Sequence, residues 1–375
     1  MQKGFFLALF IALLAAACAA PTTQRPEVDS AAAKAERLEQ TKLALKQGLD
    51  RAARLTVTMN RLNVAAADFC EGKTRYISGF ATHQIGSAKI DQLEAFEAIH
   101  PGHANHLIVV AVLPGMGAEK GGLKVGDHVV AVNGEALPPD TQAAARMVGE
   151  KIDRAEPSTL SILRAGKPMD ISLPVSRACK VPAMYVPKRD LNAFTDGQTV
   201  RVYEGMLDFI KTEEELALVM GHELGHVVRG HIEAKQKNAA VGQVIGLILG
   251  AAISVGTGVD VTSSIGSLGE GVGGGRYSVD FEAEADYVGL YIMARAGYPI
   301  DNAADFWRRM AVANPGAINM ASSHPATADR FVALEAATKE IKSKMASGQP
   351  LTPNEAEKGK SADTDSARPS IIQQN

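Results

Sequence analysis

The chain of 375 residues carries 39 basic and 42 acidic side chains, a net charge of −3, and three cysteines. A near-neutral chain without a basic cluster excludes nucleic acid as a partner on electrostatic grounds. It also lacks the several long apolar spans that a membrane-embedded enzyme would need.

Met1-Gln2-Lys3 leads into an apolar run from Phe5 to Ala17 that ends in small residues at Cys18. This is the pattern of a secretory signal peptide over residues 1–17, too short for a membrane span. Leu14-Ala15-Ala16-Ala17-Cys18 also resembles a bacterial lipobox, with Ala15 where leucine is usual. Cys18 is therefore the expected lipidation site, and residues 18–30 read as a polar tether. Setting Cys18 aside leaves Cys70 and Cys179, an even pair in a compartment where a disulfide can form. Across residues 31–69, Leu38, Leu43, Leu45, Leu49, Leu55 and Leu62 recur among charges, which predicts one or two amphipathic helices.

Over residues 70–180 the pattern changes to short β-branched runs at 107–112, 129–132, 160–163 and 170–174. Gly and Pro separate them and one helix intervenes at 140–152, so this is a small β domain whose two ends a Cys70–Cys179 bridge would tie. Its stretch from Val112-Leu113-Pro114-Gly115 to Val132-Asn133-Gly134 resembles the core of bacterial PDZ domains, with Gly117 and Gly121 where proline and alanine are common. The resemblance implies a site for an extended chain end added to a sheet edge, placed here at Ile77, Gly79 and Phe80.

Gly221-His222-Glu223-Leu224-Gly225-His226 is an HExxH motif in a run from Glu213 to His231 that predicts a helix. His222 and His226 then share a face and can hold one zinc ion, with Glu223 one step round. Apolar flanks nearly all round imply a buried helix, and buried histidines need partners. His231, five residues past His226, falls off that face and is expected to pack or cap the helix end. Phe281 to Leu290 reads as a second helix on which Glu282 and Asp286 share a face. Glu282 is the candidate third ligand and Asp286 the acceptor for a ligand ring N–H, while Glu284 falls elsewhere as a solvated or locally paired charge. Between the two helices, the apolar run 239–256 is expected to form a helix that covers the cleft or packs in the domain, with a membrane-dipping hairpin as the alternative, and the Gly-rich run after it to form a lid.

The pair His222-Glu223-Leu224-Gly225-His226 and Glu282-Ala283-Glu284-Ala285-Asp286 resembles the signature of metallopeptidase family forty-eight, which holds the HtpX-like and BepA-like zinc endopeptidases. Asn192-Ala193-Phe194, Ser323-His324-Pro325 and Arg330 agree with that family, and Tyr277-Ser278-Val279 departs from it where relatives carry Ser-Arg. The resemblance implies one Zn2+ per chain on His222, His226 and Glu282, Glu223 as general base, Asp286 and Arg330 behind the ligands, and His324 near the metal as a fourth ligand or a catalytic group. His324 or Arg330 is then a candidate donor to the tetrahedral oxyanion.

The expected architecture is α+β: a PDZ-type small β domain followed by a mainly helical, gluzincin-like zinc metalloprotease domain over residues 181–345, then a disordered tail over 346–375. The expected partners are unfolded or unassembled cell-envelope substrates, a chain end on the PDZ-type domain, and the outer membrane through the lipid anchor. The alternative is a periplasmic adaptor or chaperone with a latent or structural zinc site.

Overall fold

The computed structural model describes residues 23, 26–83, 90–99, 107–240, 279–313 and 328–355. The architecture is α+β, and its helices and strands are organised around two separate apolar cores.

The first helix, α1 (Ser30–Ala65), is capped by the Asp29 carboxylate, which accepts from the backbone N–H groups of Ala31 and Ala32. The leucine pattern of residues 31–69 thus yields one long helix, and its second half does not stand apart. Leu55, Met59 and Leu62 are buried in the same core as the metal-motif helix. Asn63 fixes the docking from inside, donating from Nδ2 to the Val181 carbonyl at 2.7 Å. Arg51 does so from the rim, bonding Glu204 and Asp208.

The small β domain therefore lies in the chain between two parts of the larger core. Its neck is the antiparallel pair β1 (Thr74–Ile77) and β8 (Ser176–Cys179), closed by the Cys70–Cys179 disulfide across 109 residues with a Cα–Cα distance of 5.7 Å. Beyond the neck, β2 (Phe80–His83), β3 (Leu107–Val112), β4 (His128–Val132), β6 (Ser158–Arg164) and β7 (Lys167–Leu173) form an antiparallel sheet in the order 2-3-4-6-7. The short β5 (Glu135–Ala136) pairs with β4, and helices α2 (Ile90–Ile99), α3 (Gly117–Lys120) and α4 (Thr141–Ile152) complete the domain. Leu107, Val129, Leu160, Ile162 and Leu173 alternate inward and fill its core against Val148 and Ile152 of α4. The buried Asp127 is neutralised by Arg164, whose Nε and Nη2 each donate to it at 2.7 Å.

In the larger unit, β9 (Ala183–Val186), β10 (Ala193–Thr195) and β11 (Val200–Tyr203) make a three-stranded sheet beside the short α5 (Glu204–Phe209). Helices α6 (Glu213–Val228), α7 (Val279–Arg295), α8 (Ala303–Ala313) and α9 (Ala328–Ala346) build the rest. Helices α6 and α7 approach each other closely, and glycine explains the approach. A Cβ on Gly225 would stand 2.6 Å from the Ala285 carbonyl oxygen, and one on Gly289 2.9 Å from the Gly221 backbone.

The expectation of a disordered tail from residue 346 is corrected as far as Glu355. Lys344 Nζ donates to the Thr352 carbonyl, Asn354 N–H to the Tyr287 hydroxyl, and Pro353 is buried. These are particular hydrogen bonds, which a polar composition does not reveal. Among the described residues no helix is long and apolar enough to cross a membrane.

Candidate active site

Helix α6 starts where Thr212 Oγ1 accepts from the Glu215 N–H, and three glutamates in its first turn complement the helix dipole. From Leu216 to Gly225 every residue is buried, as the apolar flanks predict. The helix ends at Val228, short of the expected His231. Gly230 adopts φ 66°, in the left-handed region, and a second helical run begins at 231. That turn folds His231 back over the metal motif, so it is neither a cap nor a plain packing group.

His222 and His226 present their Nε2 atoms 3.1 Å apart. Across the glycine contact, α7 brings Glu282, which is 1% exposed, with Oε1 3.3 Å from His226 Nε2 and Oε2 3.5 Å from His222 Nε2. The ligand atoms of these three residues lie within 4.8 Å of one another. Glu223 is buried on the same helix, one position round.

Behind the ligands, Asp286 Oδ1 lies 2.8 Å from His222 Nδ1. Arg330 from α9 grips the other side of that carboxylate through Nε and Nη2, and its Nη1 is 3.2 Å from Glu282 Oε2. Burial works against the Asp286 carboxylate, but the Arg330 guanidinium and the His222 N–H outweigh it and hold its pKa below the usual range. Arg330 is likewise opposed by burial and kept charged by Asp286 and Glu282. Its guanidinium also stacks over the Trp307 ring, 4.6 Å from the centroid, and Trp307 in turn lies edge-on to His222. These contacts place Arg330 behind the ligands, on Asp286 and the ligand Glu282.

The sequence reading missed the partners of His226. Its Nδ1 lies 2.9 Å from His231 Nδ1, and His231 Nε2 lies 3.0 Å from Glu284 Oε2. The bond to His231 holds the Glu284 carboxyl below its ordinary pKa, against partial burial. A histidine five residues past the motif was the one available signal, and it becomes readable only with the break at Gly230.

The donor chemistry decides whether a metal fits. An ionised carboxylate only accepts, so Asp286 fixes the His222 hydrogen on Nδ1 and leaves Nε2 with a lone pair. That lone pair faces Glu282 oxygens that also only accept. Between neutral imidazoles and an ionised carboxylate this arrangement is repulsive, and a metal cation among the donors relieves it; two imidazoles with one carboxylate are a zinc set. The residues fit the metal.

In the small domain, Ile77, Gly79 and Phe80 line a groove of about 520 Å³ between β2 and α4, with Met59 of α1 as a further wall. His324, Cys18 and most of the 239–275 segment lie outside the described residues, so the expectations placed on them have no structural counterpart here.

A pair of histidines one helical turn apart, a carboxylate from a neighbouring helix and a buried glutamate beside them form a candidate metalloprotease site. Residues 171–338 match the profile of Peptidase family M48. The chain is 32% identical over 144 residues to metalloprotease LoiP of Escherichia coli, a stretch covering 38% of this chain and 56% of that protein. It is 29% identical over 130 residues to a putative beta-barrel assembly-enhancing protease of Vibrio cholerae, covering 33% of this chain and 27% of that one. The chain thus spans about half the length of the first of these relatives and about a quarter of the second. Among solved structures, the HtrA3 PDZ domain bound to a phage-derived ligand aligns at 20% identity and a TM-score of 0.22, covering 28% of this chain and 88% of that one.

Proposed function

We propose that the protein is a zinc-dependent endopeptidase that cleaves unfolded or unassembled cell-envelope proteins. The observation that carries this is the convergence of His222, His226 and Glu282 with Glu223 buried beside them. Zinc bound there supplies a Lewis acid that polarises the scissile carbonyl and acidifies water. Glu223 takes the proton of the attacking water and delivers it to the leaving amine. Asp286 holds His222 in the tautomer that presents Nε2, and Arg330 keeps Asp286 ionised.

The small domain acts in this reading as a PDZ-type module for chain ends. Among the described residues β2 pairs only with β3, the domain's groove includes Arg75 and Ser78, and Arg75 Nε and Ser78 Oγ, buried just beneath it, have no hydrogen-bond partner there. A peptide carboxylate is the group that would satisfy them. The bacterial relatives named above support a place in the cell envelope, with Cys18 as the lipid anchor.

Glu223→Gln tests the reading. The variant is expected to keep about one zinc per chain, because Glu223 is not a ligand, while cleavage of an unfolded substrate drops by at least about 100-fold. Zinc binding by the wild-type chain with no cleavage of any unfolded or envelope protein would establish an adaptor instead.

A further inference from the structure

The two ligand histidines are held in different ways. Behind the ligand atoms, His222 Nδ1 leans directly on the Asp286 carboxylate, whereas His226 Nδ1 is linked to the Glu284 carboxylate through the imidazole of His231. Glu284 accepts and cannot donate, so His231 carries its hydrogen on Nε2 and turns the lone pair of Nδ1 toward His226. His226 must then donate from its own Nδ1, which leaves the lone pair of its Nε2 on the side of Glu282. We propose that His231 and Glu284 form a positioning relay that fixes the tautomer and ring orientation of the ligand His226. The inference rests on reading the site as a zinc centre and adds a function to two residues that the motif leaves out.

Simple packing does not account for the arrangement. Phe281 stacks on the His231 ring at 4.5 Å and 13°, which holds the ring plane, but packing alone leaves the ring free to turn within that plane. Here both nitrogens are in line, one on the ligand and one on the carboxylate. The turn at Gly230 makes this possible by bringing a buried His231, 1% exposed, back across the end of α6. The outer end of the relay reaches the surface, since the Glu284 side chain is 45% exposed and also faces Arg229 at 3.5 Å.

The test reads metal binding on the full chain without turnover: zinc affinity by competition with a chromophoric chelator, and the visible spectrum of the cobalt(II)-loaded protein. His231→Leu fills the space beside Phe281 but carries no nitrogen, and is expected to lower zinc affinity by about 10–100-fold and to shift the cobalt bands. His231→Gln, with an amide that accepts on one side and donates on the other, is expected to recover most of that loss. Glu284→Ala, at a half-exposed position, removes the acceptor altogether; its affinity falls by at least about threefold, and it decides alone if His231→Leu does not fold. Wild-type affinity and spectrum in His231→Leu and Glu284→Ala overturn the relay. A folded wild-type chain that takes up no zinc overturns the relay and the zinc reading together, whereas tight wild-type binding matched by the variants sinks the relay alone.

Discussion

Gly225→Ala probes the contact that assembles the ligand set, because α6 supplies two ligands and α7 the third. The added Cβ would lie 2.6 Å from the Ala285 carbonyl oxygen and 3.0 Å from its Cα, about 0.8 Å inside ordinary contact. Both obstructing atoms are backbone, so the helices must part. Overpacking costs roughly 1–3 kcal/mol, and the better helix propensity of alanine returns about 1 kcal/mol, leaving a net stability loss of about 0–2 kcal/mol. Metal ligands tolerate displacements of only about 0.2 Å, so the same movement is severe for the site. The expectation is a folded variant with zinc affinity reduced about tenfold or more, measured by chelator competition beside urea unfolding of the zinc-free protein. Gly48→Ala on α1, where a Cβ meets nothing within 4 Å, is the control and keeps wild-type affinity. If Gly225→Ala binds zinc as tightly as wild type, the helix contact does not set the ligand geometry.

Replacing Cys70 and Cys179 by serine should lower the urea midpoint, with a ceiling of about 4–5 kcal/mol from the entropy of a loop closed across 109 residues. Equal midpoints for the oxidised wild type and the double variant would show that the bridge adds nothing to the neck. A pH dependence follows from Glu215, whose carboxyl burial pushes up but the paired Arg309 N–H groups, at 2.9 and 2.7 Å, and the Lys211 N–H pull below its ordinary value. A depressed carboxyl stabilises the fold above its unfolded pKa of about 4.3 and loses that contribution as pH falls through the lower folded value. Thermal melts of wild type and Glu215→Gln should therefore differ at neutral pH and converge below about pH 4; a gap that stays constant would rule out this linkage.

The parts of the fold legible in the sequence are those fixed by local spacing. His222 and His226 share a face because four residues make about one helical turn, and Glu282 with Asp286 follow the same rule on the next helix. The strands of the small domain announce themselves by β-branched runs between glycines, and the disulfide by cysteine parity. The missed features depend on contacts made at a distance or on a single dihedral. His231 looks idle on a continuous helix and becomes a partner of His226 only because Gly230 breaks it. Likewise, nothing in the leucine spacing of residues 31–69 says that Leu55, Met59 and Leu62 meet a core built mostly after residue 179. The segment 350–355 is polar enough to look unstructured, and is held by bonds to Tyr287 and Glu340 that no composition encodes.

The position of the small domain between α1 and the rest of the larger core has a consequence for how the chain matures. Helix α1 emerges early, yet most of the core in which Leu55 and Met59 are buried is made only after the intervening domain. Until then its apolar side is exposed to chaperones and to aggregation. The intervening domain has its own core and can collapse first, which brings Cys70 and Cys179 to its neck. Oxidation there would convert a search across more than a hundred residues into the docking of two neighbouring segments. The metal site would then be completed last, by a chain whose two ends the smaller domain has already brought together.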